Sequence, residues 1–372
     1  MKENVAMRAL VVGGTGPTGP FIVNGLRERG FDVTIFHRGT HEIPEITDGV
    51  EHIHGDPHFR ETIDAAIGPR TFDLVVASYG RLRYLAEATV GKVGRFIAVG
   101  GFATYRGFIK ASDLYPAGLP VPVAEDFSVV ATEEEQRFSW LMVRAEEAVM
   151  EAHPDAAIFR YPYVYGPYQV VPREWCVIRR LLDGRRRIVL PDGGLALITH
   201  GYAENLAHAV LLAVDQPEAS AGQIYNCGDD RQLTLAQIVE VIARTMDREV
   251  EIVSMPQQLA FAARPMVLGG YHHTLLDLTK IRSRLGYRDV VPVEDALART
   301  TRWYVAHRPE PGGEIEERLG DPFDYAAEDV LIDRYLAMVA ELAALGERRT
   351  GVGHHPYPHP TEPGLSRDHR NR

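Results

Sequence analysis

The sequence predicts an α/β protein built on a doubly wound parallel sheet, and three features of its first half support this prediction. Short apolar segments recur without polar alternation, as expected for strands buried on both faces. Segments with helical spacing separate them. Glycines cluster where the first strand meets the first helix. Strands that alternate with helices form right-handed crossovers and a parallel sheet covered on both sides.

The predicted elements of the first half follow one another in a regular order. Ala9–Val12 is an apolar strand that leads into a glycine-rich turn, and the helical segment Phe21–Arg29 ends at Gly30. The later elements are strands at Asp32–Phe36, Phe72–Ala77, Arg95–Val99 and Ala156–Arg160, and a long helix at Glu133–Glu151. This alternation predicts that the strands form one sheet.

The second half differs in composition and predicts a smaller lobe followed by a helical extension. Residues 169–194 are rich in Arg, Pro and Gly. The predicted elements are a helix at Glu174–Leu182, an amphipathic helix at Thr234–Asp247 with Thr234 as N-cap, a strand at Glu249–Val253 and a helix at Val293–Tyr304. A Pro/Gly-rich linker at 309–313 precedes a helical segment at about 326–345.

These patterns give a division of the chain. Residues 7–168 form the first domain, to which 199–228 return, and residues 169–198 and 229–306 form the smaller lobe. Residues 307–372 form a helical extension and a flexible tail. The extension carries an apolar stripe that needs a partner surface, either this chain's lobe or a second subunit, and we expect a homodimer.

Composition limits the partners of the chain. Its 372 residues carry a net charge of −11, which disfavours nucleic acid. No stretch approaches the roughly 20 apolar residues that a membrane span needs. Cys176 and Cys227 are too far apart in sequence for a CxxC metal site, and the tail histidines at 354, 355 and 359 offer at most an adventitious one. We expect a soluble, cytoplasmic protein with no metal site.

A G-x-x-G-x-x-G turn between the first strand and the first helix predicts a Rossmann domain that binds a dinucleotide. Gly13 permits the tight turn, Gly16 lets the backbone approach a pyrophosphate, and Gly19 lets the helix pack close to the sheet. The helix N-terminus then binds the phosphates. The predicted contacts in the turn are Gly13, Thr15, Gly16, Pro17, Thr18 and Gly19. A generic glycine turn is the alternative.

The end of the second strand indicates which dinucleotide is bound. NAD sites usually place a carboxylate there for the ribose 2′-hydroxyl, and NADP sites place an arginine for the 2′-phosphate. This chain has Arg38 at that point and no acid until Glu42. We therefore expect NADP, with NAD as the alternative if Arg38 is only a solvated loop residue.

Several motifs in a fixed order resemble the NAD-dependent epimerase/dehydratase family, an extended branch of the short-chain dehydrogenase/reductase superfamily. They are GGTGPTG at 13–19, HRG at 37–39, HGD at 54–56, FRYPYVYGP at 159–167, THGYAENLAHAV at 199–210, IYNCGDD at 224–230, and DLTKIRSRLGY with TTRWY within 277–304. The resemblance implies that Asp56 lies beside the adenine and that residues 161–164 pass the nicotinamide. Ala77, which ends a predicted strand, is also expected at the cofactor.

The catalytic signature implied by this resemblance is absent. The family has a Ser or Thr after the strand matching Arg95–Val99 and a Tyr-x-x-x-Lys at the start of the long helix, in which the Tyr is the general acid/base. Here the strand is followed by Gly100-Gly101-Phe102. Aligning Lys-Ala-Glu with residues 144–146 puts Trp140 at the Tyr position and Arg144 at the Lys position. Trp cannot supply the proton, so we expect Arg144 to hold the ribose and another residue to act as acid.

Three residues are candidates for that acid. Tyr105 follows the strand end where the family keeps its Ser, and Lys110 lies close behind it. Tyr163 flanks the segment that passes the nicotinamide. Each Tyr has a structural alternative, because Tyr often lines a core with its hydroxyl at the edge.

Four residues are candidates for the substrate site. Trp140 would shape a pocket, and Arg173 beside Trp175 could hold an anionic or planar substrate through charge and stacking. His272 falls where relatives contact substrate. Trp175 is equally compatible with a core position, and His272 with a structural one.

These observations are compatible with two alternative functions. The first is an NAD(P)-dependent oxidoreductase, or an epimerase/dehydratase-like enzyme, that acts on a small carbonyl or alcohol substrate with an atypical active site. The second is a non-catalytic NADP-binding sensor or scaffold, which the loss of Ser and Tyr favours. The aromatic and basic residues expected around the cleft favour the enzyme.

Overall fold

The computed structural model describes residues 6–39, 43–46, 48–78, 80–109, 118–267, 272–346, 360 and 362–364. It divides into two compact units, Met1–Phe323 and Asp324–Arg372. Lys110 and the tail histidines lie outside the described residues. No described helix is long and apolar enough to cross a bilayer.

A seven-stranded parallel sheet forms the centre of the first unit. Its strands are β1 Arg8–Val12, β2 Asp32–His37, β3 Glu51–His54, β4 Phe72–Ala77, β5 Val93–Gly101, β6 Ala157–Tyr161 and β10 Gln223–Asn226. Their spatial order is β10-β6-β5-β4-β1-β2-β3. The order reverses beside β1, and ligands bind at such a switch point outside the carboxyl ends of the strands. The predicted doubly wound α/β fold is confirmed.

Two short parallel pairs supplement this sheet. They are β7 Tyr163–Tyr165 with β9 His200–Tyr202, and β8 Arg187–Pro191 with β11 Glu251–Met255. The first pair continues the segment that follows β6, and the second lies within the smaller lobe. Sequence analysis did not predict β3, β7, β8, β9 or β10.

Helices cover both faces of the sheet and build the lobe. They are α1 Gly19–Glu28, α2 Arg60–Ile67, α3 Leu82–Thr89, α4 Arg137–Ala152, α5 Glu174–Leu182, α6 Ala203–Asp215, α7 Pro217–Ser220, α8 Leu235–Thr245, α9 Arg264–Val267, α10 Thr279–Leu285, α11 Val293–Ala306 and α12 Glu314–Leu319. The predicted N-cap of α8 is confirmed: Thr234 and Gln237 form a reciprocal capping box.

Two buried apolar clusters lie on opposite faces of the sheet. One contains Val11, Ile35 and Leu26, and the other contains Val12, Phe36 and Leu85. Successive residues of β1 therefore enter different clusters, as the two-residue period of a strand requires. This arrangement explains why β1 is apolar at consecutive positions.

The long helix α4 begins later than the sequence predicted. Its first residue is Arg137 rather than Glu133. The side chain of Gln136, which has an extended backbone, accepts a hydrogen bond of 2.8 Å from the Ser139 N–H. This cap satisfies one of the free N–H groups of the first turn and fixes where the helix starts.

The second unit consists of one helix in its described part. α13 Tyr325–Gly346 is 22 residues long, in agreement with the helical segment expected at 326–345. Of its predicted stripe, Val330, Met338, Val339 and Leu342 have exposed side chains. The homodimer inferred from this stripe stays a prediction.

Candidate active site

The glycine-rich turn after β1 has a backbone that other residues cannot adopt or would obstruct. Gly13 and Gly14 have φ of 105° and 71°, in the left-handed region. A Cβ on Gly19 would lie 2.0 Å from the Gly14 carbonyl oxygen, so only glycine lets α1 start this close to the turn. Gly16 is exposed, and a Cβ there would meet nothing within 4 Å. The turn and the N-terminus of α1 can therefore receive a pyrophosphate.

The next two predicted cofactor residues lie near each other at the ends of β2 and β3. Arg38 is exposed and directly follows β2. Asp56 follows β3 and accepts hydrogen bonds from the His58 backbone N–H at 2.9 Å and from His58 Nδ1 at 2.8 Å. These bonds, with a smaller contribution from the charge of Arg38, lower the pKa of Asp56. Both side chains can face the adenosine end of a dinucleotide.

Ala77, the remaining predicted cofactor residue, has a fully buried side chain at the end of β4. It pairs with Val12 of β1 and Ala98 of β5. The next residue, Ser78, donates a hydrogen bond of 2.9 Å to the Val12 carbonyl. Ser78 also lines a cavity, described next, so the residue of this strand end that meets the cavity is Ser78.

A cavity of about 1030 Å³ opens beside the carboxyl ends of β4, β5 and β6. Its apolar wall includes Phe102, Phe108, Phe138, Leu141 and Met142. Four arginines also line it, and their side chains are exposed: Arg81, Arg83, Arg137 and Arg144. The cavity therefore combines an apolar wall with exposed arginines, two of which are ion-paired: Arg137 with Glu133 and Arg144 with Glu147.

A buried ion pair fixes which face of α4 meets this cavity. Glu146 receives hydrogen bonds from Arg160 of β6 at 2.7 and 3.0 Å, and both side chains are at most 6% exposed. Phe138 lies two turns before Glu146 and Met142 one turn before it, on the same face of α4, and both line the cavity. A Cβ on Gly101 would lie 2.7 Å from Met142 Cε, so Gly101 makes room for this side chain.

The residues of α4 that line the cavity agree only in part with those expected from the sequence. Phe138 and Met142 have the i, i+4 spacing of Tyr-x-x-x-Lys and line the cavity, whereas Trp140 is not among the described residues that line it. Arg144 does line the cavity, but it is two residues from Met142 and pairs with Glu147 on the surface. The Glu146–Arg160 pair, which orients the helix, favours Phe138 and Met142 as the positions that match this motif.

The two tyrosines predicted as acids occupy different environments. Tyr105 is 1% exposed, and its hydroxyl donates to Asn226 Oδ1 at 2.6 Å. Burial raises the pKa of Tyr105 to about 12, and it is not among the described residues that line the cavity. Tyr163 does line the cavity, where its ring contacts Phe102 edge-on at 4.8 Å between centroids.

The lobe residues predicted to bind substrate are mostly internal. Arg173 is 8% exposed and lies over the Tyr163 ring, 3.3 Å from its centroid, and burial lowers the pKa of Arg173. Trp175 is buried and donates to Glu316 of α12 at 2.9 Å. Burial likewise lowers the pKa of His272. Among the described residues, none of these three lines the cavity.

Comparison with protein families gives a match to the model described as NAD dependent epimerase/dehydratase family, over residues 108–228. The uncharacterized protein YbjS of Escherichia coli is 26% identical over 64% of this chain and 74% of its own length. The 3-diazoavenalumate denitrifying reductase of a Streptomyces species is 25% identical over 79% of this chain and all of its own. The chloroplast stem-loop binding protein of 41 kDa b of Arabidopsis thaliana is 24% identical over 78% of this chain and 77% of its own.

Solved structures match the fold. The UDP-glucose 4-epimerase of Thermotoga maritima superposes with a TM-score of 0.66 at 18% identity, over 82% of this chain and all of that chain. The dTDP-glucose 4,6-dehydratase of Bacillus anthracis, solved in complex with NAD, gives 0.64 at 16% identity, over 82% of this chain and 98% of that chain. With the parallel sheet, these structures show the fold, and the family model described as NAD dependent epimerase/dehydratase family matches residues 108–228 of the chain.

Proposed function

We propose that the protein is an NADP(H)-dependent reductase that transfers hydride to an apolar carbonyl substrate bearing an anionic group, with Tyr163 as the proton donor. The observation that carries this proposal is the cavity beside Tyr163, whose lining combines an apolar wall with exposed arginines. The family resemblance puts the nicotinamide along residues 161–164, at one wall of the same cavity.

The lining of the cavity is compatible with hydride transfer, and the direction is proposed on a separate ground. α4 presents Phe138 and Met142 where the family has Tyr and Lys, so another group has to move the proton. A Tyr that donates a proton in the reduction of a carbonyl accepts one in the reverse oxidation. The name of the Streptomyces relative, a reductase, is consistent with this direction.

Tyr163 is the proposed donor because it combines access to the cavity with a neighbouring cation. Its ring lies between Phe102 and the guanidinium of Arg173, which is buried. Arg173 Nη2 has no hydrogen-bond acceptor among the described residues. A buried cation at this position would stabilise the negative charge left on the ring oxygen when the proton moves. Arg173 thus supports Tyr163 rather than contacting substrate.

The substrate class follows from the two parts of the cavity. Phe138, Leu141 and Met142 suit an aromatic or branched alkyl body, since apolar surface leaves water on binding. Arg137 and Arg144 are exposed and pair with Glu133 and Glu147, so a substrate carboxylate or phosphate would have to displace those glutamates to pair with them. Stem-loop binding, which the name of the Arabidopsis relative states for that protein, is not proposed, because this chain has a net charge of −11.

The proposed cofactor preference depends on Arg38. This side chain is exposed at the end of β2, and β2 carries no carboxylate at that end. A guanidinium there favours the NADP 2′-phosphate. The related structures that contain NAD support a nicotinamide dinucleotide in general. The homodimer and the cytoplasmic location remain expectations from the sequence.

A labelling experiment tests the reductase. The full chain is incubated with NADPH deuterated at nicotinamide C4 and with aryl and alkyl ketones or aldehydes, each with and without a carboxylate. We expect deuterium in the alcohol product, with the carboxylate-bearing compounds turned over faster. If NADPH binds in a titration but no compound in the panel is labelled, the alternative function, a non-catalytic NADP-binding sensor, becomes the better assignment.

A further inference from the structure

Three histidines lie together at the open edge of the sheet, away from the residues that line the cavity. His37 ends β2, and His52 and His54 lie two residues apart on β3, so their side chains share one face of that strand. The parallel register pairs His37 with His54. A ring nitrogen from each of the three lies within 4.8 Å of the other two.

Two of the three distances between these rings are close to those of a metal centre, and the third, between the centroids of His52 and His54, is 6.4 Å. His37 Nε2 and His52 Nδ1 are 3.0 Å apart. The ring centroids of His37 lie 5.1 Å from His52 and 5.0 Å from His54. A tetrahedral Zn²⁺ with bonds of about 2.0–2.1 Å holds its nitrogens roughly 3.3 Å apart, so small side-chain rotations would bring all three to one ion.

We propose that His37, His52 and His54 bind one divalent transition-metal ion, with Zn²⁺ as the representative species. Three neutral imidazoles suit Zn²⁺, Ni²⁺ and Cu²⁺ and not the oxygen-seeking Mg²⁺ or Ca²⁺. His37 is buried, His52 is intermediate and His54 is exposed, so the ion would enter from the His54 side. A solvent molecule would complete the coordination there.

A hydrogen-bonded His37–His52 pair without metal is the competing interpretation. In that state one imidazole donates and the other accepts across the 3.0 Å contact. The Gly39 N–H also approaches His37 Nδ1, at 3.4 Å. Metal binding through Nε2 would move the ring proton to Nδ1, so this long contact would open. The third histidine distinguishes the interpretations, because a hydrogen-bonded pair does not require His54.

At this location the ion would stabilise the edge of the sheet. Among the described strands, β3 lies at the edge of the sheet and pairs with β2. An ion held by both strands would tie the edge to its neighbour, and binding to the folded state only raises its stability. Sequence analysis expected no metal site, because it searched for cysteines and tail histidines and did not pair the His-x-His of β3 with the last residue of β2.

Metal titration of the full chain tests the proposal. After chelator treatment and at about pH 7.5, where most imidazoles are neutral, Zn²⁺ is titrated by calorimetry and Co²⁺ by visible absorption. We expect one site per chain and a higher melting temperature with Zn²⁺. His52→Ala with His54→Ala should weaken binding by about 100-fold or more and abolish the temperature shift.

Two further variants make the test decisive. His354→Ala, His355→Ala, His359→Ala and His369→Ala together remove the tail histidines and should leave the site unchanged. His54→Ala alone alters one exposed ring, and it serves if the double variant does not fold. The proposal is overturned if wild-type protein binds no Zn²⁺, if His54→Ala binds it as tightly as wild type, or if the tail variant accounts for the binding.

Discussion

The turn after β1 and the first turns of α4 both belong to the site proposed above, but they are constrained by different physical requirements. In the glycine turn the requirement is backbone geometry: a Cβ on Gly19 would overlap the Gly14 carbonyl at 2.0 Å. At the positions of α4 that face the cavity, the backbone accepts any helix-forming residue, and only the chemistry of the side chain matters. Phe138 and Met142 occupy the cavity-facing positions without disturbing the helix, because the Glu146–Arg160 pair fixes its orientation.

This difference shows how a family can keep its fold and change its chemistry. Replacing Gly19 would displace α1 and the phosphate-binding turn together, so we expect the turn to persist in any variant that binds the cofactor. Replacing the helix residues that face the cavity alters only what the cavity accepts and which protons it can move. The cofactor half and the catalytic half of the site can therefore vary independently.

The largest expected effect concerns the proposed proton donor. Tyr163→Phe removes one hydroxyl from the cavity wall and should lower kcat by about 10²–10⁴-fold, the usual contribution of a positioned general acid. The affinity for NADPH should change little, which separates lost chemistry from lost binding. Single-turnover NADPH oxidation with a substrate found in the labelling panel measures the effect.

Tyr105→Phe is the matched control for that measurement. It removes a hydroxyl that is bonded to Asn226 inside the core, so it should lower the melting temperature and leave kcat within a few-fold of wild type. The opposite pattern, with kcat lost in Tyr105→Phe and kept in Tyr163→Phe, would transfer the donor role to Tyr105 and contradict the proposal.

The second prediction concerns the orientation of α4. Glu146→Gln leaves the buried Arg160 without its counter-charge, and breaking a buried pair in this way costs about 3–5 kcal/mol of unfolding free energy. Glu147→Gln, one residue along, breaks an exposed pair with Arg144 and should cost less than about 1 kcal/mol. Urea denaturation compares them. Equal costs would mean that the buried pair does not hold the helix in place.

The third prediction concerns the cofactor half alone. Arg38→Asp should reverse the preference for NADPH over NADH, because it replaces a cation with a group that repels the 2′-phosphate. The lost pairing should cost about 1–3 kcal/mol in NADPH binding. Fluorescence titration of both cofactors checks this, and turnover with saturating NADH should persist. Equal affinities of the wild-type chain for NADPH and NADH would contradict the proposed preference for NADP, but not the prediction that the domain binds a dinucleotide.

The sequence predicted these two regions unequally. The turn from Gly13 to Gly19 was found because glycine spacing, a buried strand and a helix start lie within a few residues. Which face of α4 meets the cavity could not be predicted from the sequence, since it depends on Glu146 meeting Arg160, fourteen residues further along the chain. The environment of Tyr105 could not be predicted either, because only the structure shows its hydroxyl bonded to Asn226.

The smallest expected effect comes from restoring the family's residues at positions of α4 that line the cavity. Phe138→Tyr with Met142→Lys rebuilds the Tyr-x-x-x-Lys spacing on the face that meets the cavity, and it should not raise the native reductase activity. If Tyr163 already supplies the proton, a second donor adds nothing, and a lysine in an apolar wall should weaken binding of an apolar substrate. We therefore expect a higher KM with kcat unchanged or lower. Trp140→Tyr with Arg144→Lys, at the positions of the sequence alignment, is the matched control and should leave KM nearer to wild type, because Trp140 is not among the described cavity residues. A clear rise of kcat in the Phe138/Met142 variant would show instead that the native site lacks an efficient proton donor.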